Sequence, residues 1–100
     1  MKCTNEALRA QVERDLRVTL AALDYPVRGS YSPGEVQMIL GISASEFHRL
    51  IRRHEVNHSI GILRHPCSLD SFMLRRQRRV RYAELADFLY RNSNEQRICG

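Results

Sequence analysis

One hundred residues, 43% of them apolar, make one small domain and leave no room for a second. A chain of this size buries a cooperative core without disulfides or metal. It is too short for barrels or doubly wound sheets, which need many strand–helix units. Sixteen basic residues against eleven acidic ones give a net charge of +5, and fifteen of the sixteen are arginine.

That excess points to an anionic partner, and arginine's planar fork suits phosphates and guanine edges better than lysine's point charge. A GC-rich genome produces the same bias, so position along the chain carries the argument. Residues 1–45 are balanced, five positive against five negative. Residues 46–81 hold nine arginines against Glu46, Glu55 and Asp70, together with all four histidines. Residues 82–100 have a net charge of −1. The middle of the chain is the expected electrostatic face of a nucleic-acid reader.

The N-terminus lacks the apolar run of a signal peptide, and no stretch approaches membrane-spanning length. Cys3, Cys67 and Cys99 are odd in number and widely spaced, which suits reduced cytosolic thiols. The expectation is a cytoplasmic, nucleoid-associated protein without a cofactor. Cys67 near His65 has no CxxC or second pair to complete a metal site.

In chain order, Thr4 is positioned to cap a helix from Asn5 to Asp24. Leu8, Val12, Leu16, Leu20 and Leu23 recur at helical spacing and form one apolar stripe. The stripe packs on the domain's own core or, in the competing reading, pairs two copies as a homodimer. Residues 25–30, with Pro26 and Gly29, read as a linker. Ser32-Pro33-Gly34-Glu35 is a capping box with proline at the first helical position. Val36, Ile39 and Leu40 give a short helix its apolar face, and Gly41 ends it in a left-handed turn. Ser43-Ala44-Ser45-Glu46 is a second capping box, opening a helix with Phe47, Leu50 and Ile51 inward. Two capped helices across a glycine turn make a helix-turn-helix. The outward residues of the second are Ala44, Ser45, His48, Arg49, Arg52 and Arg53, small side chains followed by donors, as a helix in a major groove requires.

These residues, Tyr31 through Ser43 and Phe47 through Arg53, resemble the excisionase and MerR-type winged helix-turn-helix domains. Arg79-Val80-Arg81-Tyr82-Ala83-Glu84-Leu85-Ala86-Asp87-Phe88-Leu89 is similar to that family's closing strand and final helix. The likeness covers residues 31–54 and 78–91 and departs at Gln37, where the family usually has a small residue. The wing region is also longer than in compact members. The resemblance implies a mainly α, winged helix-turn-helix fold with a small β-hairpin wing and, here, an extra N-terminal helix. It also implies double-stranded DNA as partner, the second helix in the major groove and the wing on the backbone or minor groove. Transcriptional regulation and architectural assistance to recombination both fit.

The organisation expected is 1–30 for the N-terminal helix and linker, 31–92 for the winged domain and 93–100 for a flexible tail. Within the wing, residues 59–64 read as a first strand, with Pro66 stopping its extension. Residues 68–77 read as a short helix with Leu69, Phe72 and Met73 inward, or else as a long wing tip. Alternation in the next strand sends Arg79 and Arg81 to one face and Val80 and Tyr82 to the core. The expected DNA-binding set is Ser43, Ser45, His48, Arg49, Arg52 and Arg53 on the helix, and Arg64, Arg75, Arg76, Arg78, Arg79 and Arg81 on the wing. Ser45, His48, Arg49 and Arg52 are expected to carry specificity and the other arginines phosphate contacts.

Two alternatives stand beside this. The same fold can serve as a protein-interaction module that presents its arginines to an acidic partner. His54-Glu55-Val56-Asn57-His58 also matches H-E-x-x-H, the zinc-hydrolase pattern, with Glu84 a formal third ligand. The zinc pattern needs a helix through His58, whereas Asn57 reads as a helix terminator with strand beyond it. No phosphate loop or nucleophile elbow is present. No enzymatic activity is expected.

Overall fold

A computed structural model describes residues 2–59, 61 and 68–94 of the chain. They form α1 (Lys2–Ala22), β1 (Ser30–Tyr31), α2 (Pro33–Leu40), α3 (Ala44–Ser59), β2 (Phe72–Leu74), β3 (Gln77–Arg81) and α4 (Tyr82–Asn94). The described fold is mainly helical, with one small antiparallel sheet ordered β1-β3-β2. Among the described residues no helix is long and apolar enough to cross a membrane.

α1 starts at Lys2, so Thr4 lies inside it rather than capping it. Its stripe turns inward. Val12, Leu16 and Leu20 are buried, and the last two join Tyr31, Val36, Phe47, Ile51, Leu69, Val80 and Leu85 in one core. The stripe proposed for pairing two copies is thus covered by the chain's own side chains, and Arg9 on α1 reaches Asp87 of α4 at 3.6 Å. The helix closes with Asp24 in the left-handed region, φ 62°. There the Asp24 amide donates to the Ala21 carbonyl and the Tyr25 amide to that of Leu20, the paired bonds of a Schellman ending.

Both capping boxes form. Ser32 Oγ accepts from the Glu35 amide while Glu35 accepts from the Ser32 amide. Ser43 and Glu46 repeat the exchange at the start of α3. Between them Gly41 sits at φ 68°, ψ 39°, a conformation glycine adopts without the Cβ penalty other residues meet. A second tie fixes the chain entering α2. The buried Tyr31 hydroxyl donates to the Pro26 carbonyl and accepts from the Arg28 amide, and the Arg28 guanidinium donates to Glu35 at 2.6 Å. Burial pushes the Glu35 carboxyl up, but the Arg28 hydrogen bond and the Ser32 amide outweigh it and hold it below the ordinary glutamate range.

Three expectations are corrected beyond α2. α3 continues through Ser59, so Asn57 does not end it and Ser59 is helical rather than the start of a strand. The other residues of that expected strand, Gly61 apart, fall outside the described residues, with Pro66. Gly61 itself lies in a turn. Residues 68–77 are not a helix. After Leu69, whose amide donates to the Leu50 carbonyl, the chain makes the hairpin β2–β3 with Leu74 paired to Gln77 across a two-residue turn. Strand pairing with β3 wins because it gives the backbone a partner on both sides: β1 bonds its other edge, Tyr31 opposite Val80. Leu69 is fully buried as expected, but Met73 is 57% exposed. α4 closes the core through Leu85 and Phe88, with Tyr82 and Leu89 packed beside them, as the sequence predicts.

A polar clamp secures this closure. Arg91 donates to Glu84 and to the Ser68 carbonyl and pairs with Asp87, while Glu84 also accepts from the Asp70 amide. It ties the segment before β2 to α4.

Because α1 shares the core, Leu20→Ala is expected to cost about 2–5 kcal/mol in one cooperative unfolding transition by chemical denaturation. An N-terminal helix outside the core would give no such loss. For Glu35, a folded pKa below the unfolded one contributes stability that is present above the unfolded value and lost as pH falls through the folded one. Wild-type stability should therefore fall as pH drops below the ordinary glutamate range. Glu35→Gln should be less stable at neutral pH and should lose that part of the acid dependence, as read by denaturation midpoints across pH.

Candidate nucleic-acid interface

The rotation of α3 is set by its buried residues. Phe47 is fully buried and Ile51 nearly so, and Leu50 packs partly against the same core. At 100° per residue the opposite side carries Ser45, Arg49, Arg52, Arg53 and Val56. Ser45, His48, Arg49, Arg52 and Arg53 are all exposed. Arg49, Arg52 and Arg53 line a shallow open groove of about 330 Å³ together with Val56 and Asn57. No ion pair engages these three arginines among the described residues. Arg49 and Arg53 stand one turn apart, so like charges are held together at a cost of a few tenths of a kcal/mol, about 0.2–0.5. An anion bound there removes that cost. His48 lies edge-on to Phe47, 5.7 Å between ring centroids. Ser43 is exposed, with its oxygen engaged in the cap.

The hairpin arginines divide into two kinds. Arg75 and Arg76 form the hairpin turn, exposed, with φ of 51° and 68°. Positive φ at both central residues is the requirement of a type I′ turn, normally met by Asn-Gly, and each non-glycine residue there costs about 1–2 kcal/mol. Arg81 is exposed with its guanidinium 4.3 Å from the centre of the Phe72 ring. Arg78 and Arg79 are half-buried and already engaged. Arg79 donates through Nε to Ser30 Oγ at 2.8 Å and through Nη2 to the Ser30 carbonyl at 2.9 Å, binding β3 to β1. Arg78 donates to Ser71 Oγ at 2.6 Å and reaches Glu55 of α3 at 3.5 Å. That reach sets the hairpin beside the flank of α3 that carries Arg52, one turn from Glu55. Arg64 lies outside the described residues.

The structure thus brings together Ser45, His48, Arg49, Arg52 and Arg53 on one helix face, and Arg78 of the hairpin reaches Glu55 of the same helix. Arg79 is half-buried, with Nε and Nη2 engaged by Ser30 of β1. Val56 and Asn57, outside the expected set, extend the groove; continuation of the outward face past Arg53 is the signal that marks them, and a helix stopped at Asn57 hides it.

The H-E-x-x-H stretch lies on α3, its backbone helical through His58, contrary to expectation. His54 Nε2 is 3.3 Å from Asp70 Oδ1, which links α3 to the segment before β2. Glu84 is buried against Arg91 and the Asp70 amide. Among the described residues no three His, Cys, Asp or Glu side chains are gathered to hold a metal ion.

Compared with models of protein families, with curated proteins and with solved structures, the chain matches none.

Proposed function

We propose that the chain is a winged helix-turn-helix protein that binds double-stranded DNA with sequence preference. α3 enters the major groove and the β2–β3 hairpin rests on the backbone or in the minor groove beside it. The observation that carries this reading is the outer face of α3: three exposed arginines, without ion pairs among the described residues, on a helix started by the Ser43–Glu46 capping box and fixed in rotation by the buried Phe47. The order of elements supports it, since the helix pair is followed by a hairpin whose tip consists of two arginines. A role in transcriptional regulation or in recombination fits this reading.

Affinity comes largely from arginine–phosphate contacts with release of counterions, at a slope of about −0.9 in log affinity against log salt per phosphate. Gel-shift titrations over a salt series are expected to show a steep fall in affinity. Arg49→Ala/Arg52→Ala should lose at least about thirtyfold in affinity for a preferred site. A shallow salt slope, or wild-type binding by the double variant, would falsify the reading.

The hairpin tip gives a second prediction. Arg75→Asn/Arg76→Gly installs the residues a type I′ turn favours, so the fold should gain about 1–2 kcal/mol in denaturation experiments. The same variant should bind duplex DNA several-fold more weakly and with a smaller salt slope, because two phosphate donors are gone. Gain of stability without loss of affinity would remove the tip from the interface.

A further inference from the structure

We infer that α3 reads neighbouring guanines in the major groove, through Arg49 and Arg52; the inference rests on the proposed binding of DNA by this helix. Guanine presents two acceptors, N7 and O6, to the major groove, whereas adenine presents an acceptor beside a donor and cytosine a donor. A bidentate reading of adenine therefore asks for Asn or Gln, and a reading of cytosine asks for Asp or Glu. Arginine has donors only, in a fixed fork that matches the guanine edge.

The N-terminal part of the outward face of α3 holds no free Asn, Gln, Asp or Glu, the side chains that read adenine and cytosine edges, and the single hydroxyl of Ser45 does not discriminate among bases. Glu46, the carboxylate nearest its N-terminus, accepts from the Ser43 amide at 2.9 Å and is held in the cap. Glu55 accepts from Arg78. No Asn or Gln occurs from Ala44 to Val56. Asn57 is half-buried and lies two turns beyond Arg49, at the C-terminal end of the groove, away from the N-terminal part of the helix that approaches bases. Arg49 and Arg52 are exposed and without ion pairs among the described residues, so no internal acceptor has to be displaced. Three residues of helix advance about 4.5 Å along the axis, close to the ~3.4 Å rise of one base step. Two forks so spaced meet adjacent or next-adjacent base pairs.

The test is a selection of the full-length protein on a random duplex library at near-physiological salt, followed by titration of the enriched site. The expected site carries neighbouring guanines. Replacing either with 7-deazaguanine, which keeps base pairing and O6 but removes the N7 acceptor, should weaken binding several-fold. Arg49→Lys and Arg52→Lys keep the charge and lose the fork. Each should lose several-fold more affinity for the enriched site than for random duplex, so that the guanine preference disappears. An enriched site without guanine, or one indifferent to 7-deazaguanine, overturns the inference and leaves DNA binding standing. Failure to retain any duplex overturns both.

Discussion

Burial of Phe47 and Ile51 decides which side of α3 meets solvent, and the rest of the molecule is arranged around that constraint. A helix has one rotational setting that sinks both side chains, and in that setting Arg49, Arg52 and Arg53 point outward. The Ser43–Glu46 box fixes where the helix begins, and the left-handed Gly41 fixes how it leaves α2. Repulsion among the three guanidinia opposes this arrangement weakly, by tenths of a kcal/mol per pair. Burial of an aromatic ring and an isoleucine is worth several times more, about 1.5–3 kcal/mol each. Core packing therefore holds together a positive surface that electrostatics alone would disperse.

The arginines that composition counts as one class have two physical roles. Arg28, Arg79 and Arg91 work inside the fold: Arg28 bridges the loop before β1 to Glu35, Arg79 clasps Ser30 across the sheet, and Arg91 clamps Ser68 to α4. In each case the fork makes more than a charge pair, since it donates to a carbonyl or hydroxyl or lies over an aromatic ring. Lysine cannot reproduce that geometry. A preference for arginine thus has structural as well as electrostatic uses here, and net charge overstates how much of it faces outward.

Local chemistry made much of the fold legible. The two capping boxes, the glycine turn and the inward residues of α2, α3 and α4 are all short-range patterns, and they appear where the spacing puts them. What the sequence hides is non-local. β1 has only two residues, and its existence depends on a partner fifty positions away, Tyr31 beside Val80. Leu69, Phe72 and Met73 fall at helical spacing, yet β3 holds the backbone of Phe72 and Met73, and the Leu69 amide donates to Leu50 of α3. Nothing in Arg75-Arg76 announces a type I′ turn, because the usual asparagine and glycine are missing. Asn57 carries a terminator's preference that does not decide its conformation, since α3 runs on through Ser59. At the candidate interface the same division holds. The face of α3 follows from periodicity, whereas the bonds of Arg79 need the three-dimensional position of Ser30.

The hairpin turn is the place where local and global preferences disagree most. Two arginines in the left-handed region persist only if the surroundings determine the turn more strongly than its own residues do. Those surroundings are identifiable: the Leu74–Gln77 pair closes the turn, Arg78 anchors β3 to Ser71 and Glu55, and the Leu69 amide is fastened to Leu50 of α3. The strain is thereby carried by contacts with the very helix whose outer face is the candidate interface. A tip built of Asn-Gly would need none of this support, but it would carry no charge. The disagreement is resolved in favour of two exposed charges, and the fold rather than the turn's own residues sets its geometry.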